Sequence, residues 1–167
     1  MPELILHHYP ASPFAEKIRL LLGFKSLAWR SVEIPMVMPK PELMPLTGGY
    51  RRTPVLQVGA DVYCDTALIV RVLDRLHPSP PVISDHSAIS DFALAHFADQ
   101  HLFGAAAAYA LQPAGMQTMF AGMSQEQLGR FVEDRKRMRE GGNAARLPLP
   151  QAWGMLLALL PRIDAQL

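Results

Sequence analysis

The sequence predicts an α/β first part in the order β-α-β-α-β-β-α, followed by an all-α second part. Three observations carry this reading. Short apolar or alternating runs near 3–8, 27–34, 55–58 and 61–64 have the period of strands, whereas helical spacing appears from Phe14 and again from Asp65. Pro54 stands directly before the β-branched run that opens at Val55, a place a strand tolerates because proline cannot donate to the ladder. After His77-Pro78-Ser79-Pro80-Pro81, a stiff break, every remaining segment reads as helical.

The elements follow in order. Glu3 to His8 reads as a strand that ends at Pro10. Ser12-Pro13 starts a helix, with a hydroxyl N-cap and proline at the first helical position. Phe14, Ile18, Leu21 and Leu22 recur at helical spacing up to Gly23, the expected stop. Leu27–Ile34 alternates as a second strand. Pro35, Pro39, Pro41 and Pro45 make 35–50 a loop with at most a short helix. Val55–Val58 and Asp61–Cys64, joined through Gly59-Ala60, read as a hairpin. From Asp65 the apolar residues Leu68, Ile69, Val72, Leu73 and Leu76 are expected on one helical face. Helices are then expected over roughly 87–111, 116–122, 124–140 and 150–167, punctuated by Gly141-Gly142-Asn143 and by Pro148 and Pro150. The domain boundary is expected between Pro78 and Asp85: a first domain over 1–78, a linker over 79–86 and an all-helical domain over 87–167.

Composition narrows the function. With 167 residues, half of them hydrophobic and about a fifth charged, the chain has the make-up of a globular protein. A net charge of +1 calls for neither nucleic acid nor a membrane surface. The single cysteine, Cys64, excludes an internal disulfide framework and fits a reducing compartment. Glu3 interrupts the first apolar residues, so no signal peptide is expected, and no apolar run reaches the ~18 residues of a membrane helix. A cytoplasmic protein is the expectation. His7, His8, His77, His86, His96 and His101 show no spacing that demands a metal; His96, Asp99 and His101 cannot share one α-helical face, because i and i+5 diverge. Arg135-Lys136-Arg137-Met138-Arg139 reads as a solvated basic face.

The element order, the helix start Ser12-Pro13-Phe14-Ala15-Glu16-Lys17, the Thr53-Pro54 pair before the third strand and Asp65-Thr66 opening the third helix together resemble glutathione S-transferases. Lys40-Pro41-Glu42-Leu43, upstream of Gly49-Tyr50-Arg51-Arg52-Thr53-Pro54, is similar to that family's loop before its cis-proline. The resemblance covers about 1–80. It implies a thioredoxin-like N-terminal domain, an all-helical C-terminal domain, glutathione as co-substrate with no metal, a small hydrophobic electrophile or a peroxide as second substrate, a role in detoxification, and a homodimer. Most relatives have valine or isoleucine where Thr53 stands. Their helical domain is usually longer, and this chain ends at Leu167 within an apparent amphipathic helix (Leu156, Leu157, Leu160, Ile163), as expected of a short variant or a truncated product.

The chemistry assigns roles within that resemblance. A free thiol has a pKa near ~8.5, so a transferase must stabilise the thiolate. A helix N-terminus contributes up to ~2 kcal/mol, and a hydrogen bond to a charged group ~1.5–3 kcal/mol. Ser12 is placed to supply both, or to act as an N-cap alone; in several classes the matching position holds the catalytic serine or cysteine. Tyr9, near the end of the first strand, is the competing thiol donor, or else packs on the hairpin. No cysteine stands at the helix start, which excludes dithiol reduction. A cis peptide at Thr53-Pro54 would turn the Thr53 backbone toward the cysteinyl backbone of glutathione, as an added strand would. By resemblance, Thr66 and its helix N-terminus suit the γ-glutamyl carboxylate and Asp65 the ammonium, the alternative for both being a simple cap. Lys40 and Arg52 are candidates for the glycyl carboxylate, or solvated surface cations. Cys64 reads as a half-buried strand residue. Phe97, His101, Met116 and Phe120 line an electrophile pocket or belong to the core. The competing function is a non-catalytic glutathione-binding or interaction module with the same fold.

Overall fold

A computed structural model describes residues 2–83, 88–140 and 147–165. They fall into two units, Met1–Asp85 and His86–Leu167. The first contains β1 (Leu4–His8), α1 (Pro13–Phe24), β2 (Arg30–Glu33), α2 (Leu43–Thr47), β3 (Val55–Val58), β4 (Asp61–Cys64) and α3 (Thr66–Leu76). The four strands form one sheet in the order β2-β1-β3-β4, with β2 parallel to β1 and with β3 antiparallel to both β1 and β4.

Alternation along the strands separates two faces. Leu4, Leu6, Leu56 and Val58 pack with Ile18, Leu21 and Leu22 of α1 and Ile69 and Leu73 of α3. On the other face Val55 packs with Ile34 and with Leu43 of α2, bordered by Tyr9, Tyr50, Val62 and Cys64. Each fully buried Leu or Ile contributes ~1.5–3 kcal/mol, so the larger cluster is the main source of stability in this unit.

The hairpin matches its expected bounds, since Gly59 supplies the positive φ (63°) that its turn needs. Three expectations are corrected. Gly23 does not stop α1: the helix runs to Phe24, Lys25 caps it, and Ser26 takes the left-handed φ of 52° while Leu27 N–H reaches back to Leu22 O at 2.9 Å. The second strand is shorter than 27–34, because β1 offers partners only to Arg30–Glu33, and Leu27 and Trp29 pack against the main core instead. On α3, Ile69, Val72 and Leu73 are buried, but Leu68 and Leu76 lie outside the core stripe and are exposed.

The ends of α1 and α3 are tied together by a buried cation. The Lys25 ammonium donates to Asp74 Oδ1 (2.6 Å), His77 O (2.7 Å) and Pro80 O (2.7 Å). Asp74 also accepts from Val82 N–H (2.9 Å) and Ile83 N–H (3.2 Å), which folds the proline-rich segment back onto α3. Burial alone would raise the Asp74 pKa. The Lys25 bond, the two N–H groups and the Lys25 charge outweigh it and hold the carboxyl below its ordinary value.

The second unit contains α4 (Ala88–Phe97), a π-helical turn (Ala98–Leu102), α5 (Phe103–Ala110), α6 (Pro113–Met119), α7 (Gln125–Arg139) and α8 (Leu149–Asp164). Its small core joins Ala105 of α5 to Ala152 and Leu156 of α8, with Tyr109 stacked on Trp153 at 4.9 Å. The expected α8 stripe is narrower than predicted: Leu156 is buried, whereas Leu157, Leu160 and Ile163 are exposed, because the contact with α5 is made through small Ala152. Helix α6 begins at Pro113 rather than near 116, and Gly115 lies where a Cβ would come 1.8 Å from Ala110 O, a corner closed to any side chain. Ser124 and Gln127 form a full capping box on α7. The expected breaks at Gly141-Gly142-Asn143, His86 and the linker's last residues lie outside the described residues.

Removing one member of a buried ion pair leaves the other uncompensated, which costs ~3–5 kcal/mol. Lys25→Met is therefore expected to lower the unfolding free energy by about that amount in denaturant melts. Because the folded Asp74 pKa is depressed, its contribution is complete above the unfolded value of ~3.9 and is lost as pH falls through the folded value. Melts against pH should show that acid loss in the wild type and a smaller one in Asp74→Asn.

Candidate functional site

The register of the sheet gathers the sequence-predicted residues of the first unit. His7 pairs with Val55, and Val55 with Cys64. The C-terminal ends of β1 and β4 and the N-terminal start of β3 therefore share one row at one end of the sheet. The segments leaving that row are Tyr9–Ser12, Thr53-Pro54 and Asp65-Thr66, so three stretches far apart in sequence emerge side by side.

Ser12 is the N-cap of α1. Its Oγ accepts from Ala15 N–H at 3.2 Å, its side chain is buried, and its own N–H reaches Tyr9 O at 3.2 Å. A hydroxyl that accepts from a backbone N–H still has its proton to donate. Tyr9 is half-buried beside Val55, and the Lys40 ammonium lies 5.7 Å from its ring centroid. Lys40 is not a solvated surface cation: it is buried, donating to Thr53 Oγ1 at 3.0 Å and to Arg51 O at 3.1 Å. It thus pins the loop before β3 from the start of α2, whose first N–H groups its carbonyl accepts. Arg52 is exposed, and its charge acts on Tyr50. The Thr53-Pro54 peptide is cis, as are Met38-Pro39 and Ser79-Pro80.

Asp65 has the left-handed φ of 77° and caps α3, its Oδ1 accepting from Ala67 N–H (2.8 Å) and Leu68 N–H (3.4 Å). A non-glycine residue in that region is held there by its surroundings at a cost of ~1–3 kcal/mol. Thr66 is buried, and Lys17 of α1 approaches its Oγ1 at 3.5 Å, so the first turns of α1 and α3 face each other. Two helix N-termini, two lysines and one carboxylate suit a ligand with anionic groups and one cationic group.

Two residues here went unread in the sequence. Lys17 was visible only as a residue of the first helix, with nothing to connect it to Thr66 across 49 positions. Tyr50 stands in the loop before Pro54, and nothing in the sequence links it to Asp65. Its phenol accepts from the Asp65 backbone N–H; burial first, then the Asp65 and Cys64 charges, raises its pKa against the lowering effect of Arg52 and that hydrogen bond. Cys64 is half-buried as expected, and burial pushes its thiol pKa up.

In the second unit, Phe97 lies against His101 (5.7 Å) while Phe120 is buried against Phe131 (4.8 Å), so the four proposed pocket residues include members of two ring pairs. A concavity of about 440 Å3 is lined instead by residues such as Ala108, Leu111, Pro113 and Leu149. The π turn at 98–102 also removes the α-helical reason given against His96, Asp99 and His101 sharing a face. No group of three His, Cys, Asp or Glu that could hold a metal ion occurs among the described residues. Of the basic run on α7, Arg135 folds onto the Phe131 ring (4.6 Å) and Arg137 pairs with Glu133 (3.0 Å).

Residues 6–81 match the N-terminal domain of glutathione S-transferases. The first unit is similar in sequence and fold to that domain. The chain is 47% identical to a GST-like protein from Pseudomonas syringae, over 85% of this chain and 50% of that one, with a TM-score of 0.66. A glutathione S-transferase from Rhodospirillum rubrum F11 is 17% identical (82% of this chain, 64% of that one, TM-score 0.57). One from Methylobacterium radiotolerans, solved in complex with glutathione sulfonate, is 21% identical (83% and 63%, TM-score 0.53). These last two show the fold alone. The chain spans half the length of the Pseudomonas protein. No curated protein matches it. The expected thioredoxin-like domain followed by an all-α part is the fold the chain adopts. No helix among the described residues is long and apolar enough to cross a membrane.

The Tyr50 environment makes a direct prediction. Its phenol should ionise above the ordinary ~10, a step that Tyr50→Phe removes and Asp65→Asn moves down, read from phenolate absorbance against pH. Because the folded pKa is raised, this contribution to stability is intact below ~10 and is lost as pH rises through the folded value.

Proposed function

We propose that the chain binds glutathione along the row where β1, β3 and β4 end, and activates its thiol for attack on a small hydrophobic electrophile or a peroxide. The observation that carries this reading is the shared register of His7, Val55 and Cys64, with a capped helix start on either side. The Thr53 backbone beside Pro54 pairs with the cysteinyl backbone of the peptide. Thr66 and the first N–H groups of α3 hold the γ-glutamyl carboxylate. Asp65 has acceptor capacity beyond its cap and takes the ammonium. Lys40 serves the glycyl carboxylate, with Arg52 as an outer contact. Ser12 donates its hydroxyl proton to the thiolate in the field of the α1 N-terminus, and Tyr9 is its alternative. No metal takes part. The first unit is on this reading the glutathione-binding domain of a cytoplasmic homodimer active in detoxification.

A second reading has an observation of its own. Ser12 Oγ is buried and committed to capping α1, an arrangement that a binding module needs as much as an enzyme does.

Calorimetry and turnover separate the two. The folded protein should bind glutathione, and Asp65→Ala should weaken binding about tenfold, the scale of one charge-assisted hydrogen bond. Ser12→Ala should lower kcat with a model electrophile about 10–100-fold at little change in glutathione affinity. Unchanged turnover would transfer the role to Tyr9; binding without turnover in the wild type would favour the module. Absence of binding would remove the enzyme reading.

A further inference from the structure

Both hydroxyls proposed to act on the thiol, Tyr9 and Ser12, ride on the four-residue loop between β1 and α1. A charged side chain two turns into α1 reaches back to that loop. Arg19 donates from Nη2 to Pro10 O at 3.0 Å and from Nη1 to His8 Nδ1 at 2.9 Å, while its Nε donates to Glu16 Oε2 at 2.7 Å. His8 is buried at the end of β1, its Nε2 2.7 Å from Ser31 Oγ and its ring set edge-on to Trp29 with centroids 5.5 Å apart.

The guanidinium can only donate. His8 Nδ1 must therefore accept, the neutral ring carries its proton on Nε2, and that N–H donates to Ser31. A second proton on Nδ1 would set N–H against N–H and cation against cation. We propose that His8 and Arg19 form a proton-sensitive strap that holds the Tyr9–Ser12 loop in its glutathione-binding form. They are positioning residues, and this role rests on the proposed function above.

The groups facing His8 are Arg19, backed by Glu16, from α1, and its register partner Glu33 with Ser31 and Trp29 from the β2 side; the β3 register continues onto Pro54, which has no titratable group. Burial first, then the Arg19 charge, lowers the imidazole pKa below 6.5, against an opposing pull from Glu33. The strap is thus closed above the folded pKa and opens as pH falls through it. S-methylglutathione has no thiol to ionise, and its carboxylates and amine titrate outside that window, so a change in its affinity within the window belongs to the protein.

The test is an NMR titration of the labelled full chain from about pH 7.5 to 5, with S-methylglutathione calorimetry at both ends. The His8 ring should show the Nε2–H tautomer, and the Ala11 and Ser12 amides should shift with the His8 midpoint. Affinity should be about tenfold lower at the acid end, the scale of one charge-assisted hydrogen bond. In His8→Gln, which keeps a neutral acceptor and donor, the amides should stop titrating and the ratio of the two affinities should approach one. Arg19→Lys, which keeps the charge but loses the fork, should remove the same step and weaken binding about tenfold at neutral pH. An Nδ1–H tautomer, or loop amides that ignore His8, overturns the strap. A wild type that binds no glutathione at any pH overturns the proposed function and the ligand half of this inference, while the amides still decide the strap.

Discussion

The hydrogen-bond register that aligns His7, Val55 and Cys64 decides where the chemistry of the first unit can sit. Because β1 and β4 both run antiparallel to β3, their ends and the start of β3 fall at the same edge of the sheet. Each of the two strands leads into a helix as its next element, so two helix N-termini open on that edge. A one-residue slip of β3 would turn Leu56 and Val58 away from α1 and α3, so burial of the core and placement of the site are fixed by the same bonds.

The site is then held by charges taken out of water. Lys40 ties the loop before β3 to the start of α2, and Lys25 ties α1, α3 and the proline-rich segment together at the far ends of the helices. Such groups cost desolvation and return it only when every partner is in place, which favours one geometry over near alternatives. Arg19 adds the same kind of constraint to the loop that carries Ser12.

What was legible in the sequence is what local chemistry controls. Ser12 before Pro13 and Asp65 before Thr66 are both caps, as their residue types imply, and the hairpin was readable because alternation and Gly59 agree. The burial of Lys40 and Lys25 was not readable, since their partners lie 11 to 55 positions away. The end of α1 lies one residue past Gly23, because Ser26, and not a glycine, takes the left-handed turn there. The apolar stripes of α3 and α8 were read too wide, as the pattern shows which residues are apolar and not which neighbour covers them. The π turn in the second unit left no mark that an α-helical period could register.

The most direct measurement is a chemical-shift map of glutathione on the labelled chain. The account predicts that the amides of Ser12, Thr53, Thr66 and Ala67 move together along one binding curve, since they line one edge of one sheet. Shifts confined to another surface, or only one of the three segments responding, would contradict it.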